Sequence, residues 1–258
     1  MIPYSLLDLS PIPEGFEAAD AVRNTLDLAR NGWAVAVHYG RSRAEADAVV
    51  DEIQDAGGQA VALQADLSVE SETLSLMQQT TDALGPVGCL VNNASSFEHD
   101  NIDSADRASW DTHIETNLRA PFVLIQQMAN TLPADAEGVV VNMLDQRVWN
   151  LTPQFLSYTV SKSGLWTMTR TLALALAPRI RVNAIGPGPT LPNARQSEEQ
   201  FERQYNSLPL RRPVDTAEIC NAIQFILSAP SMTGQMIALD SGQHLAWAHP
   251  DESSELNE

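Results

Sequence analysis

The chain has 258 residues, 44% of them hydrophobic, which is enough for one large α/β domain with a substantial core. Its formal net charge of -18 and pI near 4.5 repel phosphate backbones and anionic lipid, so nucleic acid and membrane surfaces are excluded as natural partners. No segment has the roughly eighteen uninterrupted apolar residues of a membrane span. Residues 1–9 carry no positive charge before a short apolar patch and no small-residue cleavage pattern after it. Cys89, inside an apolar run, and the distant Cys220 read as core thiols of a reduced, cytoplasmic protein.

Short apolar runs alternate with amphipathic stretches along the chain, the pattern of a Rossmann-like, doubly wound parallel sheet in a single α/β domain over residues 1–250. In order, the runs predict strands at 33–38, 59–65, 88–92, 138–144, 180–185 and 235–239. Helices are predicted at 44–54, 70–84, 110–132, 155–176 and 217–228, the last with Thr216 as N-cap. Residues 251–258 hold four carboxylates and no base and are expected to form a disordered acidic tail. Neither a repeat nor a linker divides the chain.

The chemistry concentrates around residues 145–162. Asp145 closes an apolar run that reads as a buried parallel strand, placing a carboxylate where strand ends meet a ligand crevice. Tyr158 and Lys162 are four apart and share one helix face, so the ammonium can lower the phenol's pKa and hold it as a usable acid. His99 and His113 lack the spacing of a metal cage and read as satisfied surface or core histidines, and His244 stands near the C-terminus without a partner; no metal is expected. Met232 and Met236 read as packing residues.

From Leu26 onward the chain resembles the short-chain dehydrogenase/reductase family over roughly nine-tenths of its length. The resemblance rests on Asn92-Asn93-Ala94, Asn117 in Glu115-Thr116-Asn117-Leu118, the Tyr158/Lys162 pair, Gly186-Pro187-Gly188 after Arg181-Val182-Asn183, and Asp240-Ser241-Gly242. It implies that Tyr158 donates a proton, Lys162 binds the cofactor ribose and Asn117 helps hold a water-linked proton path to the lysine. Asn93, Ala94, Gly186, Pro187 and Gly188 would border the nicotinamide, and Asp66-Leu67 the adenine, although an aspartate is also a routine helix starter there. A homotetramer built partly from the helices near Trp110 and Phe155 is also implied, while an apolar helix face serves sheet packing equally well.

Within that family the chain is most similar to the pteridine reductases. Asp145 replaces the usual serine, implying a proton relay with the tyrosine, and Ser95-Ser96-Phe97 resembles a segment whose phenylalanine stacks on the pterin. Ser95, Phe97, Asp145 and Tyr158 are therefore the expected substrate residues. Offset stacking on Phe97 would add roughly 0.5–1.5 kcal/mol beyond burial, the alternative being a loop aromatic that caps the core. The family's second strand ends here in His38-Tyr39-Gly40-Arg41-Ser42, which offers a guanidinium and a hydroxyl where an NAD-selective protein carries an acid. Arg41 can pair with a 2′-phosphate and Ser42 can donate to it and cap the next helix, which favours NADP(H); a solvated turn cation is the other reading of Arg41.

The pattern breaks before residue 25, where an atypical first strand and a glycine-poor first turn stand in place of the family's glycine-rich loop. Only Gly15 remains, Glu14, Glu17 and Asp20 would face a dianionic pyrophosphate, and Pro11 and Pro13 have no N–H to donate. Three explanations stay open: an unorthodox and weaker grip on the cofactor, loss of hydride transfer with a retained pterin pocket, or a shifted reading frame, which the abruptness of the change favours. The functional expectation is NADPH-dependent reduction of a pterin or dihydropterin. A short-chain reductase of a carbonyl substrate and a non-catalytic pterin-binding or regulatory protein are the alternatives.

Overall fold

The computed structural model describes residues 5–8, 29, 32–192 and 196–245. The first-turn residues 11–21, the helix at Leu26 and the tail 251–258 lie outside the described residues.

Seven strands form one parallel sheet in the order β3-β2-β1-β4-β5-β6-β7. They are β1 (Ser5–Asp8), β2 (Ala34–Tyr39), β3 (Gln59–Gln64), β4 (Val87–Asn92), β5 (Gly138–Met143), β6 (Ile180–Pro187) and β7 (Met236–Leu239). The described helices are α1 (Arg43–Asp55), α2 (Glu70–Leu84), α3 (Arg107–Ile114), α4 (Ala120–Thr131), α5 (Leu156–Leu176), α6 (Glu198–Asn206) and α7 (Thr216–Ser228).

Strand alternation sorts the apolar side chains into two cores. Val35, Val37, Cys89, Val91, Val141 and Ile185 pack against α1 and α7 through Val49, Ile53, Ile219 and Ile226. Ala36, Leu90, Val140 and Val182 face the other way, against Leu76 of α2, Leu124 and Met128 of α4 and Ala173 of α5. Both faces are covered, so the strands read as unbroken apolar runs. Strand order reverses between β1 and β4, and the carboxyl ends of the strands on either side of that point frame the crevice where this architecture holds ligands.

Several boundaries differ from the sequence reading. The sheet contains a strand ahead of residue 33, β1, which is only four residues long yet sits between β2 and β4. β6 continues past Ile185, so that Gly186 and Pro187 pair with Ala238 and Leu239 of β7. The helix expected over 110–132 begins earlier, at Arg107, and is interrupted by a π-helical turn, Glu115–Arg119, before α4. Asp215, not Thr216, caps α7, because its carboxylate accepts the Ala217 N–H and Glu218 completes a capping box. Phe155 is the N-cap of α5 rather than its first helical residue. α6, opened by a Ser197–Gln200 capping box, is absent from the sequence reading; its polar sequence carries only Phe201 and Tyr205 at helical spacing.

Candidate active site

Asp145 leaves β5 with extended backbone and opens a 3₁₀ turn, Gln146–Val148. That turn folds Arg147 back onto it. Asp145 Oδ1 accepts the Arg147 N–H at 2.8 Å, and Oδ2 lies 3.2 Å from Arg147 Nη1 while accepting the Tyr158 hydroxyl at 2.9 Å. The predicted carboxylate–phenol pair is therefore formed, and it has a cationic partner that spacing alone did not reveal.

Lys162 lies one helical turn beyond Tyr158, with Nζ 5.7 Å from the phenol ring centroid and donating to Met143 O at 2.9 Å. Burial brings Lys162 down to about 8, against the opposing pull of Asp145. Burial, then the charge of Asp145, push Tyr158 well above its ordinary range, and Arg147 works in the other direction. At neutral pH the phenol thus keeps its proton; the lowering expected from Lys162 is overridden, because burial and the adjacent carboxylate both disfavour the phenolate.

Asn117 sits in the π-helical turn, a backbone irregularity that often marks a working position. Its Oδ1 accepts Ser96 N–H at 2.8 Å and Ser95 Oγ–H at 3.2 Å, while Nδ2 donates to Ser96 O and Ser161 Oγ at 2.9 and 3.1 Å. Asn117 thereby fastens the loop after β4 to α5. Phe97, three residues along that loop from Ala94, stacks on Phe155 with centroids 4.4 Å apart and planes 6° from parallel, and meets Tyr158 edge-on at 4.7 Å. One face of Phe97 is thus occupied by Phe155. Phe155 itself is left-handed (φ 56°, ψ 49°), a conformation costing a bulky residue on the order of 1–3 kcal/mol.

Phe97, Asp145, Arg147, Tyr158 and Gly188 line a cavity of about 260 Å³, completed by Thr190, Leu191, Gln196, Gln204 and Gln243. Gly188 cannot carry a side chain, since a Cβ there would lie 2.7 Å from Asp240 Cα; at Gly186 a Cβ would lie 2.9 Å from Met236 Sδ. These two glycines, with Pro187 between them, are accounted for by close packing of β6 on β7. Asn93 directly follows β4.

A second cavity, about 420 Å³, opens at the ends of β2 and β3 and is lined by His38, Arg41, Ser42, Asp66, Leu67, Ala94 and Ser95 among others. Ser42 occupies the N-cap position of α1 without a side-chain capping bond. Asp66 is not the cap of α2, a position held by Val69; its carboxylate accepts the Ser68 hydroxyl and N–H, which hold it below the ordinary carboxylate value. Buried His38 donates from Nε2 to Ala65 O at 2.9 Å, and its Nδ1 has no hydrogen-bond partner among the described residues. A guanidinium and a hydroxyl on one wall suit the phosphorylated adenosine end of a dinucleotide.

His244 does have a partner, contrary to expectation: its Nδ1 lies 2.7 Å from Asp240 Oδ2. His113 is a satisfied core histidine, as read. Among the described residues no group of three or more His, Cys, Asp or Glu could hold a metal, and no helix is long and apolar enough to cross a membrane.

An all-parallel sheet with Asp145 just past the end of β5 and Tyr158 and Lys162 beside it on α5 defines a class of reductase, and comparison agrees. Residues 21–244 match the family profile described as Enoyl-(Acyl carrier protein) reductase, and the chain belongs to the short-chain dehydrogenase/reductase family. It is similar to 3-oxoacyl-[acyl-carrier-protein] reductase FabG of Staphylococcus epidermidis, 31% identical over 85% of this chain and 92% of the relative. Among solved structures it is similar to FolM Alternative dihydrofolate reductase 1 from Brucella suis in complex with NADP, with 48% identity, a TM-score of 0.89, and 97% and 99% of the two chains covered. A blue fluorescent protein from a metagenomic library, in complex with NADPH, is 27% identical with a TM-score of 0.81, covering 92% of this chain and 97% of the other.

Proposed function

We propose that the protein is an NADPH-dependent reductase of a pterin or dihydropterin. The observation that carries this reading is the hydrogen bond from Tyr158 to Asp145 on the wall of a cavity that also presents Phe97. The 48% identity to an alternative dihydrofolate reductase supports it independently. NADPH, when bound, supplies the hydride. Arg41 and Ser42 would hold its 2′-phosphate, Asp66 and Leu67 would border its adenosine side, Lys162 would bind the ribose, and Asn93, Ala94, Gly186, Pro187 and Gly188 would border the nicotinamide.

The chain's own residues handle the proton. Tyr158 is neutral at working pH and gives its proton to a ring nitrogen of the substrate; the phenolate left behind would face the Asp145 carboxylate at hydrogen-bond distance, an arrangement disfavoured by like charge. Arg147 and Lys162 offset it, so that two cations balance the carboxylate and the transient phenolate. Asp145, already an acceptor for the Tyr158 hydroxyl, borders the cavity, where it would take up a proton from solvent and hand it to the phenolate, returning both groups to their starting states. Ser95 and Phe97 border the ring that accepts the hydride, and only the Phe97 face turned away from Phe155 can stack on it.

The similarity to 3-oxoacyl reductases favours a carbonyl substrate as the second reading, with Asp145 standing in for serine. Rates of NADPH oxidation with dihydrobiopterin, dihydrofolate and a simple ketone separate the two. Turnover confined to the pterins is expected, and turnover confined to the ketone overturns the proposal. Exposed Val160 and Leu174 on α5 support the homotetramer that family resemblance implies, which light scattering on the purified protein tests.

A further inference from the structure

Three buried polar side chains that proton delivery does not use meet beside Tyr158. Asp100 comes from the loop between β4 and α3, His113 from the last turn of α3 and Ser157 from the first turn of α5. Glu98 N–H donates to His113 Nε2 at 3.0 Å, which makes Nε2 the acceptor and leaves the ring proton on Nδ1. Nδ1 then donates to Ser157 Oγ at 2.7 Å, and Ser157 Oγ donates to Asp100 Oδ2. Asp100 Oδ1 accepts Ser157 N–H at 3.2 Å and Oδ2 accepts the Ser109 hydroxyl at 3.1 Å. The Asp100 carbonyl accepts the N–H groups of Phe155 and Leu156 at 2.7 and 3.4 Å. One loop residue therefore caps the helix that carries Tyr158 and Lys162, and holds the left-handed turn at Phe155 on which Phe97 stacks.

Serine, histidine and aspartate in contact invite comparison with a hydrolytic triad, but the order excludes it. In such a triad the imidazole sits in the middle and takes the serine's proton. Here the serine sits in the middle, its proton is committed to Asp100, and the second imidazole nitrogen is held by a backbone N–H. The chain positions; it does not attack.

The loop this chain fastens is the one bearing Ser95 and Phe97, and the His113 ring lies edge-on to Tyr158 at 6.0 Å between centroids. We infer that Asp100, Ser157 and neutral His113 are positioning residues for the reduction, setting Phe97 and Tyr158 relative to each other, and that protonation of His113 releases the loop. An imidazolium would present a proton at Nε2 to the Glu98 N–H, two donors facing each other. The groups facing His113 are Asp100 and Glu98 from the loop, which favour its charge, the Ser109 backbone within α3, and Lys162 with Ser157 and Tyr158 from α5, of which Lys162 opposes it. Burial outweighs them and holds His113 below its ordinary value, so the network is complete at neutral pH and fails on the acid side.

The kinetic arm rests on the pterin-reductase reading; the spectroscopic arm does not. Ring-nitrogen NMR of the full chain should show His113 protonated at Nδ1 alone, titrating below an ordinary histidine; a proton on Nε2 at neutral pH, or a titration above the ordinary value, overturns the inference. In kinetics, KM for dihydrobiopterin should rise as pH falls through that titration, and His113→Gln, which keeps an acceptor but cannot take a proton, should flatten the rise. Ser157→Ala should raise KM about tenfold at all pH, with NADPH affinity unchanged. A Ser157→Ala variant that only melts earlier, with native KM and an unaltered pH profile, overturns the positioning role. If the native chain turns over no dihydropterin, the substrate assignment fails while the NMR result still decides this inference.

Discussion

The two cavities at the strand ends are built on different terms. Around β5 and α5 the ionisable groups are buried and engaged with one another: Asp145 with Arg147 and Tyr158, Lys162 with a backbone carbonyl, and Asp100 with two serines. At the ends of β2 and β3 the groups are at the surface, with Arg41 and Asp66 exposed. Charges held out of water interact strongly and tolerate little change, whereas exposed charges are screened by solvent and salt and act in small increments. The proposed function puts chemistry at the buried end and cofactor preference at the exposed one.

That contrast can be broken by comparing variants at the two ends. Tyr158→Phe should lower kcat for dihydropterin by about 10²–10⁴-fold with NADPH affinity intact; a loss under tenfold removes the phenol from proton delivery. Arg147→Met leaves the partly exposed Asp145 carboxylate without its cation and should cost about 1–3 kcal/mol in urea unfolding, with Arg147→Lys recovering part of it; an unchanged midpoint would show that the pair contributes nothing to the fold. At the exposed end, Arg41→Gln should weaken NADPH by roughly tenfold and leave NADH unaffected, and the difference should shrink with added salt. Equal losses for both cofactors would place Arg41 elsewhere than the 2′-phosphate.

A further effect is in pH. Lys162 releases its proton near 8 in the folded chain, so kcat/KM should fall above about that pH, and Lys162→Met should lose the limb. Unfolded, the same lysine holds its proton up to the ordinary 10.5, so between those values the unfolded state binds more protons and stability should rise with pH. Unfolding midpoints that fall across that window in the native chain, but not in the variant, would reverse the assignment.

What the sequence discloses follows from range. Strands covered on both faces are continuous apolar runs, so β2 through β7 can be read directly, whereas β1 is four residues ending in an aspartate with no glycine-rich turn in the described residues after it. The Tyr158 and Lys162 spacing and the strand-end Asp145 are local signals. Arg147 is also local, yet nothing about an arginine two residues on announces that a 3₁₀ turn will fold it back. Ser157 lies 44 residues from His113 and 57 from Asp100, and their contact exists only once α3 and α5 pack. Residue 113 looked like an ordinary core histidine, which describes its burial but not its partners.

Residues 1–25 also bear on the cofactor end, since the family profile matches from residue 21. Quenching of tryptophan fluorescence by NADPH reports whether the chain as it stands binds the hydride source. The coding DNA read in its other frames shows whether a glycine-rich, basic peptide precedes Leu26.

The account turns on a carboxylate working with a phenol, and Asp145→Ala assayed at saturating NADPH addresses it most directly. The expected result is a fall in kcat/KM for dihydrobiopterin of at least about 10²-fold with binding of the pterin and of NADPH retained. A variant that reduces dihydrobiopterin as fast as the native chain would contradict the account.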